Sequence, residues 1–308
     1  MKTSRIQDLL DKNKFFSLAI DQGTSLKNLI KENKKDFREN DYFYFKKQVI
    51  LNLSSEVSSI LFDYDTFQSD EIYHKLNVPK IIAYEDDAYN IDDKDKITNL
   101  PQKNIDQHID QFSAIKFFMY FNPDSMAEIN NKKIDLILNV SAICKKFNVP
   151  FLFEPLLYYD PNSGLSYEEF CKKKPHYIKY FYSEFSKQEY FIDIIKIEFP
   201  FNEDEVKGFE SNNNKNFYSN NDCQNILQDV FYDSKVPFVF LSAGMKFNNF
   251  YNSLSLAKSS GIDFTGFLCG RSIWYDAINI FSCDSNEKFV NWILNEGKSR
   301  LVKLKSTL

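Results

Sequence analysis

Residues 114–154 read AIKFFMYFNPDSMAEINNKKIDLILNVSAICKKFNVPFLFE and have a strand–helix–strand pattern. The runs AIKFFMY (114–120) and PFLFE (150–154) are short and apolar throughout, which is typical of strands buried on both faces. Between them, residues 128–147 place apolar side chains at helical spacing. Two buried strands joined by a helix predict a parallel pair, the repeating unit of α/β folds.

The same alternation extends along the rest of the chain. Six further runs have the composition of buried strands: FSLAI (16–20), SSILFD (58–63), KIIAY (80–84), DIIKIE (193–198), PFVFLS (237–242) and TGFLCG (265–270). Helical patterns occupy residues 26–55, 250–259 and 286–297. Eight strands alternating with helices predict an α/β fold, a single (β/α)8 TIM barrel, as one domain over residues 1–308. A doubly wound open sheet is the competing fold, and the lack of a GxGxxG motif after the first strand disfavours it.

Composition excludes several classes of partner. The net charge is −5 with acids and bases interspersed, so no basic patch for nucleic acid is expected. No apolar run approaches the roughly 18 residues of a membrane helix, and no signal-peptide pattern opens the chain. The 5 cysteines form no CxxC pair and the 3 histidines lack ligand spacing. We therefore expect a cytoplasmic protein with reduced thiols, no metal site and no cofactor.

Charged side chains within or just after the apolar strands are the candidate catalytic groups. Lys116 lies inside the fourth strand and Lys196 inside the sixth, while Glu154 ends the fifth and Asp21 follows the first. Active sites of these barrels lie at the carboxyl ends of the strands. A lysine is rarely buried without a partner, so each could instead be a salt-bridged or snorkelling side chain. Two such lysines together with two strand-end carboxylates favour a catalytic site.

Schiff-base chemistry needs these residue types. The attacking lysine must be neutral, and burial or a neighbouring cation favours the neutral amine. We predict Lys196 as the nucleophile and Lys116 as the neighbouring cation. Glu154 is placed to shuttle protons during dehydration and carbon–carbon cleavage. Asp21 would orient the nucleophile or accept the proton of the hydroxyl whose carbon becomes the aldehyde.

A second constellation, after the seventh and eighth strands, is typical of a phosphate site. The segments LSAG (241–244) and LCGR (268–271) contain small residues whose backbone N–H groups can approach an anion. Gly244 and Gly270 are the predicted points of approach, and Arg271 adds a cation that can bind a phosphate through two hydrogen bonds.

Taken in order, several segments resemble the tagatose 1,6-bisphosphate aldolase family of the bacterial class I type. The resemblance runs from about residue 15 to about residue 300. The matching segments are AIDQ (19–22), SSILFD (58–63), AYE (83–85), AIKFF (114–118), PFLFE (150–154), KPH (174–176), FSK (185–187), DIIKIEFP (193–200), LSAG (241–244), SGIDFTGFLCGRSIW (260–274) and NEG (295–297).

The resemblance implies a (β/α)8 lyase that cleaves tagatose 1,6-bisphosphate, or a related ketose phosphate, to dihydroxyacetone phosphate and glyceraldehyde 3-phosphate. It implies that Lys196 forms the Schiff base and that Glu154 is the acid/base. It also implies that Lys116, Asp21 and Gln22 belong to the active site, and that Ser242 and Arg271 hold the C1 phosphate. After Asp-Gln the family usually has Arg-Gly, whereas this chain has Gly23-Thr24. Lys27 is the nearby cation that could replace the arginine at the distal phosphate.

Three alternatives to this function stay open. A related group of aldolases acts on 6-deoxy-6-sulfofructose 1-phosphate, a second candidate substrate. A non-catalytic sugar-phosphate sensor on the same barrel is a candidate of another class. A metal-assisted aldolase is disfavoured by the scattered histidines. The sequence does not decide whether the chain forms a homo-oligomer, or whether the polar stretches 85–108 and 209–222 are surface loops or a mobile cover over the barrel.

Overall fold

Eight parallel strands close into a barrel. The computed structural model describes residues 5–87, 91, 95–100, 105–161, 163–211, 213 and 215–308. The strands are β1 (Phe15–Ala19), β2 (Ser59–Phe62), β3 (Lys80–Ala83), β4 (Ala114–Phe121), β5 (Phe151–Leu157), β6 (Ile194–Ile197), β7 (Phe238–Phe240) and β8 (Gly266–Cys269). Each strand pairs in parallel with the next, and β8 pairs with β1. The predicted (β/α)8 barrel is confirmed, and each predicted apolar run overlaps one strand.

Helices lie between and after the strands. They are α1 (Thr24–Asn33), α2 (Glu39–Leu53), α3 (Tyr64–Gln68), α4 (Ala127–Phe147), α5 (Tyr167–Phe185), α6 (Asn220–Phe231), α7 (Phe247–Ser259), α8 (Arg271–Trp274), α9 (Ala277–Cys283), α10 (Asn286–Trp292) and α11 (Lys298–Lys305). The helix predicted at 128–147 is α4, which ends where Asn148 takes a left-handed φ of 53°. The predicted helical stretch 26–55 contains α1 and α2, the stretch 250–259 lies in α7, and 286–297 contains α10 and ends in a π-helical turn.

Two apolar layers surround the sheet. The larger lies between the strands and the outer helices. The smaller fills the barrel interior and includes Ala19, Ala83, Ala114, Leu152 and Ile194, packed with residues from the segment before β1. Because side chains alternate along a strand, the residue two positions after each of these also points into the barrel. The interior is therefore apolar at the level of these five residues. Polar or charged side chains can enter it one layer further along the strands.

The two predicted polar stretches are only partly described. In 85–108, residues 88–90, 92–94 and 101–104 lie outside the described residues. In 209–222, Lys207 N donates to Tyr218 O at 2.9 Å, which ties the end of this stretch to the turn after β6, and α6 then begins at Asn220. The two alternatives for these stretches, surface loops or a cover over the barrel, both stay open. Among the described residues, no helix combines the length and apolarity needed to span a membrane.

The closure of the barrel depends on a residue without a side chain, which gives a first prediction. A Cβ built on Gly266 would lie 1.7 Å from the Phe15 carbonyl oxygen, in the β1–β8 pair. We expect Gly266→Ala to lower the free energy of unfolding by about 1–3 kcal/mol or more, because the two strands must separate. Urea unfolding followed by far-ultraviolet circular dichroism measures the change.

Gly297→Ala is the matched control for this substitution. A Cβ on Gly297 would meet the Leu53 methyl carbon at 3.5 Å, an ordinary contact, and the residue is helical. Stability should stay the same or rise by up to about 1 kcal/mol. Equal stability of the Gly266→Ala variant and the unmodified protein would show that the strand pair tolerates a methyl group.

Candidate active site

Five charged side chains enter the barrel one layer above its apolar interior. Each follows an interior apolar residue by two positions on its strand, so the alternation of the strand turns it inward. The five are Asp21 after β1, Glu85 after β3, Lys116 in β4, Glu154 in β5 and Lys196 in β6. None of these side chains is more than 4% exposed. The structure therefore brings together the four residues predicted as catalytic and adds Glu85.

Lys116 is the centre of this cluster. Its Nζ lies 2.9 Å from Asp21 Oδ2 and 3.1 Å from Glu154 Oε2, and it also donates to Glu85 Oε1. Glu85 Oε2 in turn accepts from the Phe118 backbone N–H at 3.2 Å. Buried charges are tolerated when they are paired and hydrogen-bonded. Lys116 supplies the positive charge that lets three carboxylates share one buried site.

Lys196 reaches the same cluster through Glu154. Its Nζ lies 2.8 Å from Glu154 Oε1, so Glu154 contacts one lysine with each carboxylate oxygen. β5 lies between β4 and β6 in the sheet, which is why its glutamate sits between the two lysines. An amine in direct contact with a buried carboxylate can exchange a proton with it without bulk water. The predicted nucleophile and the predicted proton shuttle are thus in contact.

The protein shifts the pKa values of two of the carboxyl groups in opposite directions. Burial raises the pKa of Glu85 above its ordinary value, and Lys116 offsets only part of that effect. Burial acts in the same direction on Asp21, but attraction to Lys116 and Lys196 outweighs it and holds the pKa of Asp21 below its ordinary value. Asp21 is therefore ionised near neutral pH, and Glu85 takes up a proton more readily.

A cavity of about 170 Å³ opens beside Lys196 and Glu154, and we call it the Arg271 cavity. Its lining also includes the predicted substrate residues Gln22, Ser242, Gly270 and Arg271. Gly270 lies there because its backbone packs closely on β1: an added Cβ would be 2.3 Å from the Ala19 carbonyl oxygen. Two cations, Arg271 and Lys196, and two carboxylates, Glu154 and Glu198, line this cavity, and the Arg271 guanidinium with the Ser242 hydroxyl can hydrogen-bond an anion.

Gly244 lies on the outer side of Arg271 rather than in the Arg271 cavity. Its φ of 81° is in the left-handed region, and a Cβ there would be 3.3 Å from Arg271 Cζ. Glycine therefore lets the turn after β7 approach the guanidinium closely. Arg271 and Gly244 also line a larger groove of about 950 Å³ that continues outward between the β7 and β8 ends.

Lys27 lies on α1 at a different cavity. Its Nζ pairs with Glu39 Oε1 at 2.6 Å. The structure does not place Lys27 with Ser242, Gly270 and Arg271, whose cavity it does not line. Its replacement of an arginine at a distal phosphate stays a prediction, and the ion pair with Glu39 reduces the charge that it can offer.

Two residues of the site had no role in the sequence analysis. Glu85 belongs to the matching segment AYE (83–85) and begins the polar stretch 85–108, and its position two residues after an interior alanine could have identified it. Glu198 comes directly after β6, two residues beyond Lys196, and lines the Arg271 cavity. Its carboxylate accepts from the Leu157 backbone N–H at 2.9 Å and pairs with Lys174 at 3.3 Å, so it braces the β5 and β6 ends.

Comparison with known proteins places the chain among aldolases. The family model described as DeoC/LacD family aldolase matches residues 15–276. A tagatose 1,6-diphosphate aldolase of Listeria monocytogenes is 28% identical over 300 residues, which is 97% of this chain and 88% of that protein. Tagatose 1,6-diphosphate aldolase 1 of Enterococcus faecalis is 29% identical over 310 residues, covering 100% of this chain and 94% of that protein.

Solved structures with the same fold have little sequence in common with this chain. Fructose-bisphosphate aldolase from Plasmodium falciparum aligns with a TM-score of 0.74 at 14% identity, over 99% of this chain and 94% of that one. An archaeal fructose 1,6-bisphosphate aldolase aligns with a TM-score of 0.61, also at 14% identity, over 98% and 99% of the two chains. At this identity the likeness supports the barrel fold alone.

The contacts of Lys116 predict how the cluster responds to pH. Lys116→Met leaves three buried carboxyl groups without their shared cation, which we expect to cost about 3–5 kcal/mol of folding stability at pH 8. The folded variant then favours protonated carboxyls and binds more protons than its unfolded chain, so its stability rises as pH falls. Urea unfolding at pH 8 and at pH 5 should show the gap to the unmodified protein narrowing at the lower pH.

Lys179→Met serves as the control for the loss of a lysine. Lys179 pairs with Asp229 at 2.6 Å on the outer surface, where the two side chains are 48% and 68% exposed. Its removal should change stability by no more than about 1 kcal/mol at either pH. A Lys116→Met penalty that is independent of pH would argue against shared ion pairing in the cluster.

Proposed function

This chain belongs to the DeoC/LacD aldolase family, and we propose that it is a class I lyase that forms a Schiff base on Lys196. The barrel of residues 1–308 would act as one catalytic domain. Its substrate would be a ketose that carries phosphate at C1, cleaved to dihydroxyacetone phosphate and an aldehyde. The observation that carries the proposal is the 2.8 Å contact between the buried Lys196 Nζ and Glu154 Oε1, beside the Arg271 cavity.

The names of the relatives supply the first substrate to assay. They are called tagatose 1,6-diphosphate aldolases, and we take tagatose 1,6-bisphosphate as the candidate sugar on that ground. The C1 phosphate would lie in the Arg271 cavity, held by Ser242 and by Arg271, with backbone N–H groups near Gly270. This orientation puts the ketose carbonyl at C2 next to Lys196.

Lys196 and Glu154 would carry out imine formation. The neutral amine of Lys196 attacks C2, and a proton passes to the former carbonyl oxygen to give a carbinolamine. Glu154 then donates a proton to that hydroxyl, which leaves as water, and the iminium forms between C2 and Nζ. The iminium withdraws electrons from the bond between C3 and C4. Glu154 is suited to both proton transfers because it already contacts the attacking nitrogen.

Asp21 would accept the proton that carbon–carbon cleavage releases. Its low pKa keeps it ionised, and its Oδ1 is buried with no hydrogen-bond partner among the described residues. When the C4 hydroxyl gives up its proton, C4 becomes the aldehyde and the C3–C4 electron pair moves to the iminium as an enamine. Protonation at C3 and addition of water at C2 release dihydroxyacetone phosphate and restore Lys196.

Retention of a complete set of reactive groups favours the lyase over a non-catalytic sensor. A sensor needs to bind the sugar phosphate, but it does not need a buried amine in contact with a proton shuttle. A direct measurement distinguishes the two functions. If the protein forms an imine with its ketone product, reduction of that imine leaves a covalent adduct, whereas a sensor that forms no imine leaves none.

Borohydride trapping tests the predicted nucleophile. With dihydroxyacetone phosphate present, sodium borohydride should fix the product to Lys196, and peptide mass spectrometry should locate the adduct there. Lys196→Ala and Lys196→Arg should both lose the adduct and the cleavage activity, because a guanidinium stays protonated and does not form an imine. The Lys179→Met variant should still be labelled. An adduct on Lys116 would show that Lys116, and not Lys196, is the nucleophile. No adduct on any lysine would favour the sensor.

Glu154→Gln tests the proton shuttle. The amide keeps the size of the side chain but cannot exchange protons, so kcat should fall by roughly 10²–10⁴-fold while the far-ultraviolet spectrum is unchanged. Steady-state rates with tagatose 1,6-bisphosphate, coupled to detection of dihydroxyacetone phosphate, give the comparison. A variant with normal kcat would place the proton transfer on another group, with Glu85 the next carboxyl in the cluster.

A further inference from the structure

A second cavity, of about 190 Å³, lies on the other side of Lys116 from the Arg271 cavity, and we call it the acidic cavity. The ends of β1, β2 and β3 surround it together with the starts of α1, α2 and α3. Asp21 and Glu85 belong both to its lining and to the charged cluster. The acidic cavity therefore reaches the charged cluster at Asp21 and Glu85, and the Arg271 cavity reaches it at Glu154 and Lys196. A substrate anchored near Arg271 would extend its far end toward the acidic cavity.

Carboxylates dominate this lining. Among the described residues it holds seven of them and a single lysine, Lys27. Lys27 is already paired with Glu39. Two other lysines approach from behind the lining, where Lys46 pairs with Asp63, and Lys116 with Asp21 and Glu85. Each of these lysines is thus matched by at least one carboxylate, and the lining keeps an excess of negative charge.

At the start of α1, a carboxylate of the acidic cavity occupies the position where a helix can bind an anion. The first N–H groups of a helix attract anions, and such helix ends commonly hold phosphate groups. Here the Thr24 N–H donates to Asp87 Oδ2 at 3.1 Å, so a carboxylate of the chain itself fills this position. A Cβ built on Gly23 would lie 3.0 Å from Asp87 Oδ1, which shows how closely the carboxylate packs on this turn. A phosphate could use this helix end only by displacing Asp87.

The acidic cavity also has hydrogen-bond acceptors that lack donors. Asp21 Oδ1 and Asp87 Oδ1 are both buried and have no hydrogen-bond partner among the described residues. The Asp21 side chain is only 1% exposed. A carboxylate oxygen can only accept, so the complementary ligand group is a donor such as a hydroxyl. No three described His, Cys, Asp or Glu side chains are arranged to hold a metal ion.

We propose that the acidic cavity selects substrates whose distal end carries hydroxyl groups and no phosphate. The enzyme would then prefer ketose 1-phosphates, which release an unphosphorylated aldehyde, over the corresponding 1,6-bisphosphates. This inference rests on the proposed lyase function. A second phosphate would enter a small cavity in which Asp87 already occupies the helix end and like charges line the wall. Sugar hydroxyls would instead satisfy the free oxygens of Asp21 and Asp87.

The test compares each 1-phosphate with its own bisphosphate. We would measure kcat/KM for tagatose 1-phosphate and tagatose 1,6-bisphosphate, and for the two fructose analogues, by detecting dihydroxyacetone phosphate, the product they share. We expect kcat/KM to be at least about 100-fold higher for the monophosphate of each pair. A ratio near one, or in favour of the bisphosphate, would overturn the inference.

Asp87→Asn tests the source of the selectivity. The amide keeps an acceptor for the Thr24 N–H but removes the negative charge, so the monophosphate-to-bisphosphate ratio should fall at least about tenfold. Asp229→Asn, which removes a carboxylate on the outer surface, should leave the ratio unchanged. An unchanged ratio in Asp87→Asn would overturn the assignment of selectivity to this carboxylate.

Failure of this inference can be distinguished from failure of the proposed function. Borohydride trapping of dihydroxyacetone phosphate involves only the C1 half of the substrate and does not depend on the acidic cavity. An adduct on Lys196 together with a preference for bisphosphates would reject the distal-end inference and keep the lyase. No adduct and no cleavage of either sugar would reject both.

Discussion

The ammonium group of Lys116 is held by three carboxylates inside a closed barrel, and the candidate site is organised around that contact. Its partners follow β1 and β3 and lie within β5, so one buried charge draws together residues that are far apart in sequence. Each carboxylate would be costly to bury alone, and together they would repel one another. The lysine makes their proximity tolerable, and the closed sheet keeps the group away from water.

The three carboxyl groups that share Lys116 differ in their surroundings and therefore in the chemistry that each can do. Asp21 is held ionised by two lysines, whereas burial leaves Glu85 more easily protonated. Glu154 alone contacts both lysines, and this places it beside the proposed nucleophile. Acid and base chemistry at neutral pH requires carboxyl groups with unequal proton affinities. Here Asp21 and Glu85 both contact Lys116, but Lys196 also attracts Asp21 and lowers its pKa, whereas burial dominates at Glu85 and raises its pKa.

The fold was predictable because its determinant is local. Short apolar runs separated by helical patterns are visible in the sequence, and Lys116 and Lys196 stand out as charges inside two of those runs. Glu85 and Asp87 were not predicted as site residues, because their importance depends on which strands become neighbours. Asp87 follows β3, yet it acts on the first turn of α1, 63 residues earlier in the chain. Neither the family resemblance nor periodicity reports such a contact.

Charge is distributed unequally along the path that a bound sugar would take. The Arg271 cavity balances two cations, Arg271 and Lys196, against two carboxylates, whereas the acidic cavity has seven carboxylates among the described residues and its nearby lysines are already paired. The lysines of the cluster stand between these two environments, at the position where the carbonyl and the scissile bond would lie. A substrate with phosphate at one end and hydroxyls at the other would match both cavities in a single orientation. The same groups that prepare the amine for reaction would then also set the direction in which the sugar binds, because reversing it would place the phosphate against Asp21, Glu85 and Asp87.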